Sequence, residues 1–142
     1  MAEKVEFAFD IDHDDFVNAG NVSSKIKKHL TQLGLNNRLI RNVAITAYEA
    51  EMNLIIHSCG GMLQLSIDQN EIELISKDSG PGIDDVDLAM KEGFSTATEK
   101  VRELGFGAGM GLPNMKRLSD DFIIHSTKNG TTIRIRFKII LD

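Results

Sequence analysis

The closing stretch "KNGTTIRIRFKIIL", Lys128 to Leu141, decides the fold. Ile133, Ile135, Phe137, Ile139 and Leu141 fall on one face of this stretch, and Arg134, Arg136 and Lys138 fall on the other. A period of two is the mark of a strand with one buried face. Strands covered on both sides, as in parallel sheets, read instead as unbroken apolar runs. The sheet therefore has one wet face, and helices cover the other. Asn129–Gly130 is a strong two-residue hairpin signal, so the preceding strand runs antiparallel to this one.

Working outward, the same alternation appears in Val5, Phe7 and Phe9. Two further strands, about Met62 to Ile67 and Glu71 to Ser76, flank Asp68–Gln69–Asn70 and read as a second hairpin. Phe16, Ala19, Ile26, Leu30 and Leu33 have helical spacing, with Asp14 or Asp15 as the expected cap and Gly34 as the stop. A second helix is expected from about Asn37 to His57. A third begins near Leu112, with Pro113 in its first turn. Asp78 to Gly109 reads as loop. The pattern predicts an α+β fold over residues 1–142 as one domain: a two-layer sandwich of a mixed, mostly antiparallel sheet with helices on one face.

The chain has 142 residues, 42% hydrophobic and 26% charged, which suits one globular core. Its net charge of −5 argues against non-specific nucleic-acid binding. The start, "MAEKVEF", lacks a signal-peptide pattern, and no apolar run is long enough to span a bilayer. The single cysteine, Cys59, cannot form an internal disulfide and points to a reducing, cytoplasmic setting.

Three stretches carry chemistry. The first is "LGFGAGMGLP", Leu104 to Pro113, with glycines at 105, 107, 109 and 111. It matches neither GxxxxGK[ST] nor GxGxxG, and the protein-kinase HRD and DFG sequences are absent. Glycines expose backbone N–H groups, and a helix N-terminus adds its own, so the run suits an anion cradle as well as a plain flexible loop. The second is "KDSGPGI", Lys77 to Ile83. There Asp78 ends a strand and can accept a hydrogen bond from an exocyclic amine such as that of adenine, or close an Asx turn. The third is "AYEAEMNLIIHS", which sets Glu49, Asn53 and His57 in one helical stripe. Asn53 offers an amide oxygen to Mg²⁺, and Glu49 can orient or deprotonate an attacking hydroxyl. His57 reads as a plain helix-end histidine or as a phosphate contact. Glu51, two residues from Glu49, lies on another face and reads as a solvated surface charge.

Taken in order, Glu49-x-x-x-Asn53, Asp78-x-Gly80-x-Gly82 and Gly105 to Gly111 resemble the N, G1 and G2 boxes of the Bergerat-fold, histidine-kinase-like ATPases. From "DSGPGIDDVDLAMKEGFSTA" through "LGFGAGMGLPNMKRLSDDF", with "FVNAGNVSSKIKKHLTQLGL" and "NGTTIRIRF" at the two ends, the chain is most similar to the small bacterial anti-sigma-factor and stressosome-switch serine/threonine kinases. The resemblance implies ATP and Mg²⁺ as cofactors. It assigns the adenine amine to Asp78, with Thr131 helping through water, and the lining of the base to Gly80, Gly82 and Ile83. It places Thr96 in the lid near the nucleotide or as a helix cap, and gives the phosphates to Gly107, Gly109, Met110, Gly111 and Leu112. Asn53 would hold the metal and Glu49 would be the catalytic base. It further implies a STAS-fold regulator as phosphoacceptor, a sigma factor or other regulator as a second partner, and room for a homodimer through the first strand and helix. The segment "TEKVRE" is longer than in compact family members, and its Arg102 either reaches the γ-phosphate or pairs with a carboxylate. No dimerisation helices or phosphoacceptor histidine of a sensor kinase are present. Two functions follow: a kinase acting on the regulator, or a nucleotide-switched binding module that sequesters or activates a regulatory partner without efficient phosphotransfer.

Overall fold

The computed structural model describes residues 4–56, 60–78, 90 and 111–139. In chain order they form β1 (Val5–Ile11), α1 (Asn21–Gln32), α2 (Asn37–Ile56), β2 (Gly61–Ile67), β3 (Glu71–Asp78), α3 (Gly111–Leu118), β4 (Asp121–Thr127) and β5 (Gly130–Lys138). The five strands make one sheet in the order β1-β2-β3-β5-β4, and each of its pairings is antiparallel.

The alternation places one apolar row on the helix side of every strand. Phe7 pairs with Leu65, Leu65 with Leu74, Leu74 with Ile135, and Ile135 with Phe122. Onto this face pack Ile26 and Leu30 of α1, Val43, Ala47, Ala50 and Leu54 of α2, and Met115 of α3, all buried. Each large side chain so buried contributes about 1.5–3 kcal/mol before chain entropy is counted.

Local chemistry closes the joints. Asp68 Oδ1 accepts the N–H groups of Asn70 at 2.7 Å and Glu71 at 2.8 Å, which fixes the β2–β3 turn and holds its carboxyl below the usual aspartate range. Asn36 caps α2, its Oδ1 accepting from the N–H groups of Arg38 and Leu39. Gly34 follows α1 at φ 70°, the left-handed stop expected of it. On the wet face, Glu73 takes Arg136 Nε at 2.8 Å and lies 3.7 Å from Arg134 Nε, while Arg136 reaches Asp121 at 3.8 Å. The strand arginines are therefore rungs of a cross-strand ladder as well as solubility charge.

The start of α1 differs from the expectation. The helix begins at Asn21, behind a left-handed Gly20 at φ 91°. Asp14, itself at φ 61°, donates its N–H to the Ile55 carbonyl at 3.0 Å, and Asp15 binds Asn18. The aspartates shape the entry loop, and the cap comes from elsewhere in the chain.

Candidate active site

That cap is Glu51. It is 2% exposed, and its carboxylate accepts N–H bonds from Gly20 at 3.1 Å, Val22 at 3.2 Å and Ser23 at 3.0 Å. The expected solvated surface charge is instead a buried anion on the free N–H groups and positive end of α1. Periodicity within α2 could not show this, because α1 covers a flank of α2 that a single-helix pattern assigns to water.

Two residues earlier, Glu49 looks the other way. It and Asn53 are both half-buried and one helical turn apart, and both border the first residue of α3. A Cβ built on Gly111 would lie 3.1 Å from Glu49 Oε2, 3.4 Å from Asn53 Oδ1 and 3.6 Å from Asn53 Nδ2. A glycine lets the start of α3 come this near the pair without displacing either side chain. The free N–H groups of α3 and the positive end of its dipole therefore gather beside a carboxylate and an amide. Burial raises the Glu49 pKa above the ordinary glutamate value, and a hydrogen bond from the Asn114 side chain partly offsets the rise. A carboxylate so placed is a stronger proton acceptor than one in water.

The second cluster lies at the end of β3. Asp78 follows the buried Ile72, Leu74 and Ser76 in the period-two series, so it belongs to the helix side of the sheet. Thr131 donates its backbone N–H to Asp78 Oδ1 at 3.0 Å, and the Thr131 and Ser126 hydroxyls meet at 2.8 Å. Glycines stand on both neighbouring strands. A Cβ on Gly61 would overlap the Lys77 carbonyl, and one on Gly130, at φ 143°, would overlap the Asp78 carbonyl. The missing side chains let the β2 and β5 backbones close on β3 at Asp78.

Both clusters share that end. Ile56 closes α2 five residues before Gly61, and Gly61 is the register partner of Asp78. β3 ends at Asp78, and Gly111 opens α3 against Glu49 and Asn53. Leu112 follows, packed on the core edge. Of the residues expected in the site, Glu49, Asn53, Asp78, Gly111, Leu112 and Thr131 are thus placed. Gly80, Gly82, Ile83, Thr96, Gly107, Gly109 and Met110 lie outside the described residues, as do His57, Cys59 and Arg102. A cavity of about 350 Å³ lined by Lys4, Glu6, Gln64, Ser66 and Glu73 sits on the wet face, across the sheet from the pair, and takes no part.

The geometry fits a magnesium nucleotide. Asp78 offers an acceptor for an amine, Asn53 gives a hard oxygen, and α3 gives N–H donors for phosphate. Among the described residues no three His, Cys, Asp or Glu side chains converge as a metal cage. Sequence reading missed Asn114, Gly61 and the second task of Gly130. Asn114 was the most legible of these, being one turn past Gly111 on a predicted helix.

Comparison with known proteins agrees. The histidine kinase-like ATPase domain family matches residues 14–137. The serine/threonine-protein kinase RsbT of Bacillus subtilis is 32% identical over 127 residues, covering 84% of this chain and 86% of that one. An anti-sigma F factor of Clostridium novyi is 29% identical over 143 residues, covering 96% and 93%. Among solved structures, the RsbU and RsbW domains of Rv1364c from Mycobacterium tuberculosis superpose with a TM-score of 0.61 at 16% identity, over 94% of this chain and 32% of that longer one. One chain of the SiaB–SiaC complex from Pseudomonas aeruginosa superposes at 0.52 and 10% identity, over 94% and 89%. No helix among the described residues is long and apolar enough to cross a membrane. The two-layer sandwich, the Glu49–Asn53 pair at the mouth of α3 and a family match that spans both have one common account: the chain belongs to the histidine kinase-like ATPase family, on the branch of the anti-sigma factors and small serine/threonine kinases.

Proposed function

We propose that the protein is a Mg²⁺–ATP-dependent serine/threonine kinase that phosphorylates a regulatory protein of the STAS fold. The observation that carries this reading is the half-buried Glu49, beside Asn53 and against Gly111 at the start of α3. Asp78, its rotamer tied to the Thr131 N–H, accepts from the exocyclic amine of the base. Asn53 holds the cation, which when bound neutralises phosphate charge. Glu49 takes the proton from the attacking hydroxyl as its oxygen bonds to the γ-phosphorus and the bond to the β-phosphate bridge breaks. The N–H groups of α3 face the charge on the transferred group. Positioning and electrostatics supply the rate.

Glu49→Gln tests the base. Single-turnover transfer from labelled ATP to a STAS-fold acceptor should fall by about 10²–10⁴ while ATP affinity stays near wild type. Transfer at the wild-type rate would remove Glu49 from the chemistry. The anti-sigma F factor names among the relatives favour a second reading, in which nucleotide state controls capture of a sigma factor or similar regulator in the cytoplasm. Partner binding that follows ATP against ADP, with no label transferred, would select it. A homodimer through β1 and α1 is part of either reading, and sedimentation of the purified protein tests it.

A further inference from the structure

We propose that the outer side of α2, from Arg38 to Tyr48, is a docking surface for an acidic face of the phosphoacceptor protein. The inference rests on the reading of the protein as a kinase with Glu49 at its site.

Charge is divided unevenly along the chain. Phe16 to Tyr48 holds five of the sixteen lysines and arginines and none of the twenty-one acidic residues. The rest of the chain sets eleven cations against all twenty-one carboxylates. Lys25, Lys27 and Lys28 of α1 and Arg38 and Arg41 of α2 are exposed. None of the five joins an ion pair among the described residues, whereas Arg134 and Arg136 of β5 meet Glu73. α1 and α2 pack side by side, so a basic patch lies on the helical layer of an otherwise acidic molecule.

On α2 this patch becomes a stripe that leads to the site. Arg38, Arg41, Ile45 and Tyr48 are exposed and recur at intervals of three and four, opposite the buried Val43, Ala47, Ala50 and Leu54. Tyr48 is seated on the start of α1, where a Cβ built on Gly20 would lie 3.7 Å from its ring. Glu49 borders the stripe, one turn on from Ile45. At the rise of an α-helix Arg38 stands about 16 Å along the axis from Glu49. One side of a protein interface, about 800 Å², is roughly 30 Å across and covers both. A protein seated here brings a hydroxyl to Glu49 while its carboxylates meet the arginines.

The mixture of groups selects the occupant. Arginine and tyrosine beside an exposed aliphatic side chain are what protein interfaces favour. A nucleic acid would run past the five cations onto a surface that repels it. A second copy seated on this stripe would set arginine against arginine. An acidic protein face avoids both penalties.

The test measures binding apart from chemistry. A fluorescent STAS-fold acceptor is titrated by anisotropy against the Glu49→Gln protein loaded with Mg²⁺–ATP. Adding Arg38→Glu and Arg41→Glu should weaken binding about tenfold or more. Ile45→Asp should do the same. Lys4→Glu with Lys138→Glu, an equal change of net charge on the wet face of the sheet, should stay within about twofold. Raising NaCl from about 50 to about 500 mM should weaken the parent and leave the arginine variant nearly flat. With Glu49 restored, the arginine variant should raise the acceptor KM about tenfold, with kcat and ATP affinity within about twofold. Equal binding by the arginine variant and its parent overturns the docking surface and leaves the kinase reading standing. Transfer by Glu49→Gln at the wild-type rate removes the base and leaves the docking surface standing. An acceptor that binds neither protein overturns both. Duplex DNA or phosphatidylglycerol vesicles that bind the parent and are released by the arginine variant, in place of the acceptor, overturn the protein partner in favour of a polyanion.

Discussion

Glu51 takes three backbone N–H bonds into the protein interior, while Glu49, two residues earlier, stands half-buried at the mouth of α3. Their different surroundings predict different responses. Glu51→Ala leaves the Gly20, Val22 and Ser23 donors without a partner and should destabilise the fold by about 2–3 kcal/mol in urea unfolding. Glu49→Gln should do the reverse near neutral pH. The folded state holds the Glu49 carboxyl above its ordinary pKa, chiefly by burial, so folding favours its protonated form. That favour is complete below the ordinary glutamate range and is lost as the pH rises through the raised value. The stability of Glu49→Gln relative to the wild type should therefore grow from pH 4 to pH 7. A constant difference over that range would show that burial of Glu49 carries no such penalty. The identity and spacing of Glu49 and Asn53 were legible in the sequence. The buried role of Glu51 was not, since its partners lie about 30 residues away.

At the scale of elements, period two named the strands and Asn129–Gly130 named the β4–β5 hairpin, because both signals are local. β3 reaches Asp78, since Gly61 and Thr132 offer register partners there for Asp78 and Lys77. The same contact gives Gly130 a task beyond its turn. Gly130→Ala would set a Cβ against the Asp78 carbonyl at a backbone angle that side chains rarely adopt. It should loosen the β3 end and weaken ATP binding about tenfold or more, with the rest of the hairpin folded, as titration calorimetry and circular dichroism would show. Unchanged ATP affinity would separate Asp78 from the nucleotide. The start of α1 shows the opposite case. Its cap is a long-range one, so a local search settles on Asp14 and Asp15 and places the helix too early.

For the whole molecule, the two clusters meet only because α2 ends where β2 begins and β2 pairs with the end of β3. A ligand that joins them should stabilise the folded state as a unit. Mg²⁺–ATP at 100 times its Kd should contribute about 2.7 kcal/mol and raise Tm on the order of 10 °C. Asp78→Asn should weaken binding by about 1–3 kcal/mol and remove much of the shift at that concentration. An equal shift in both proteins would place the nucleotide away from β3. The sequence alone determined the elements, the wet and dry faces of the sheet, and which residue types could bind a magnesium nucleotide, because periodicity and side-chain chemistry are properties of neighbours. Only the tertiary structure decided that Glu51 is a buried cap on α1 and not a solvated surface charge. It also decided that Gly61 and Gly130 let their strands close on the β3 backbone at Lys77 and Asp78. Those outcomes depend on what a second element brings alongside, and burial by a distant partner leaves no mark in the local pattern.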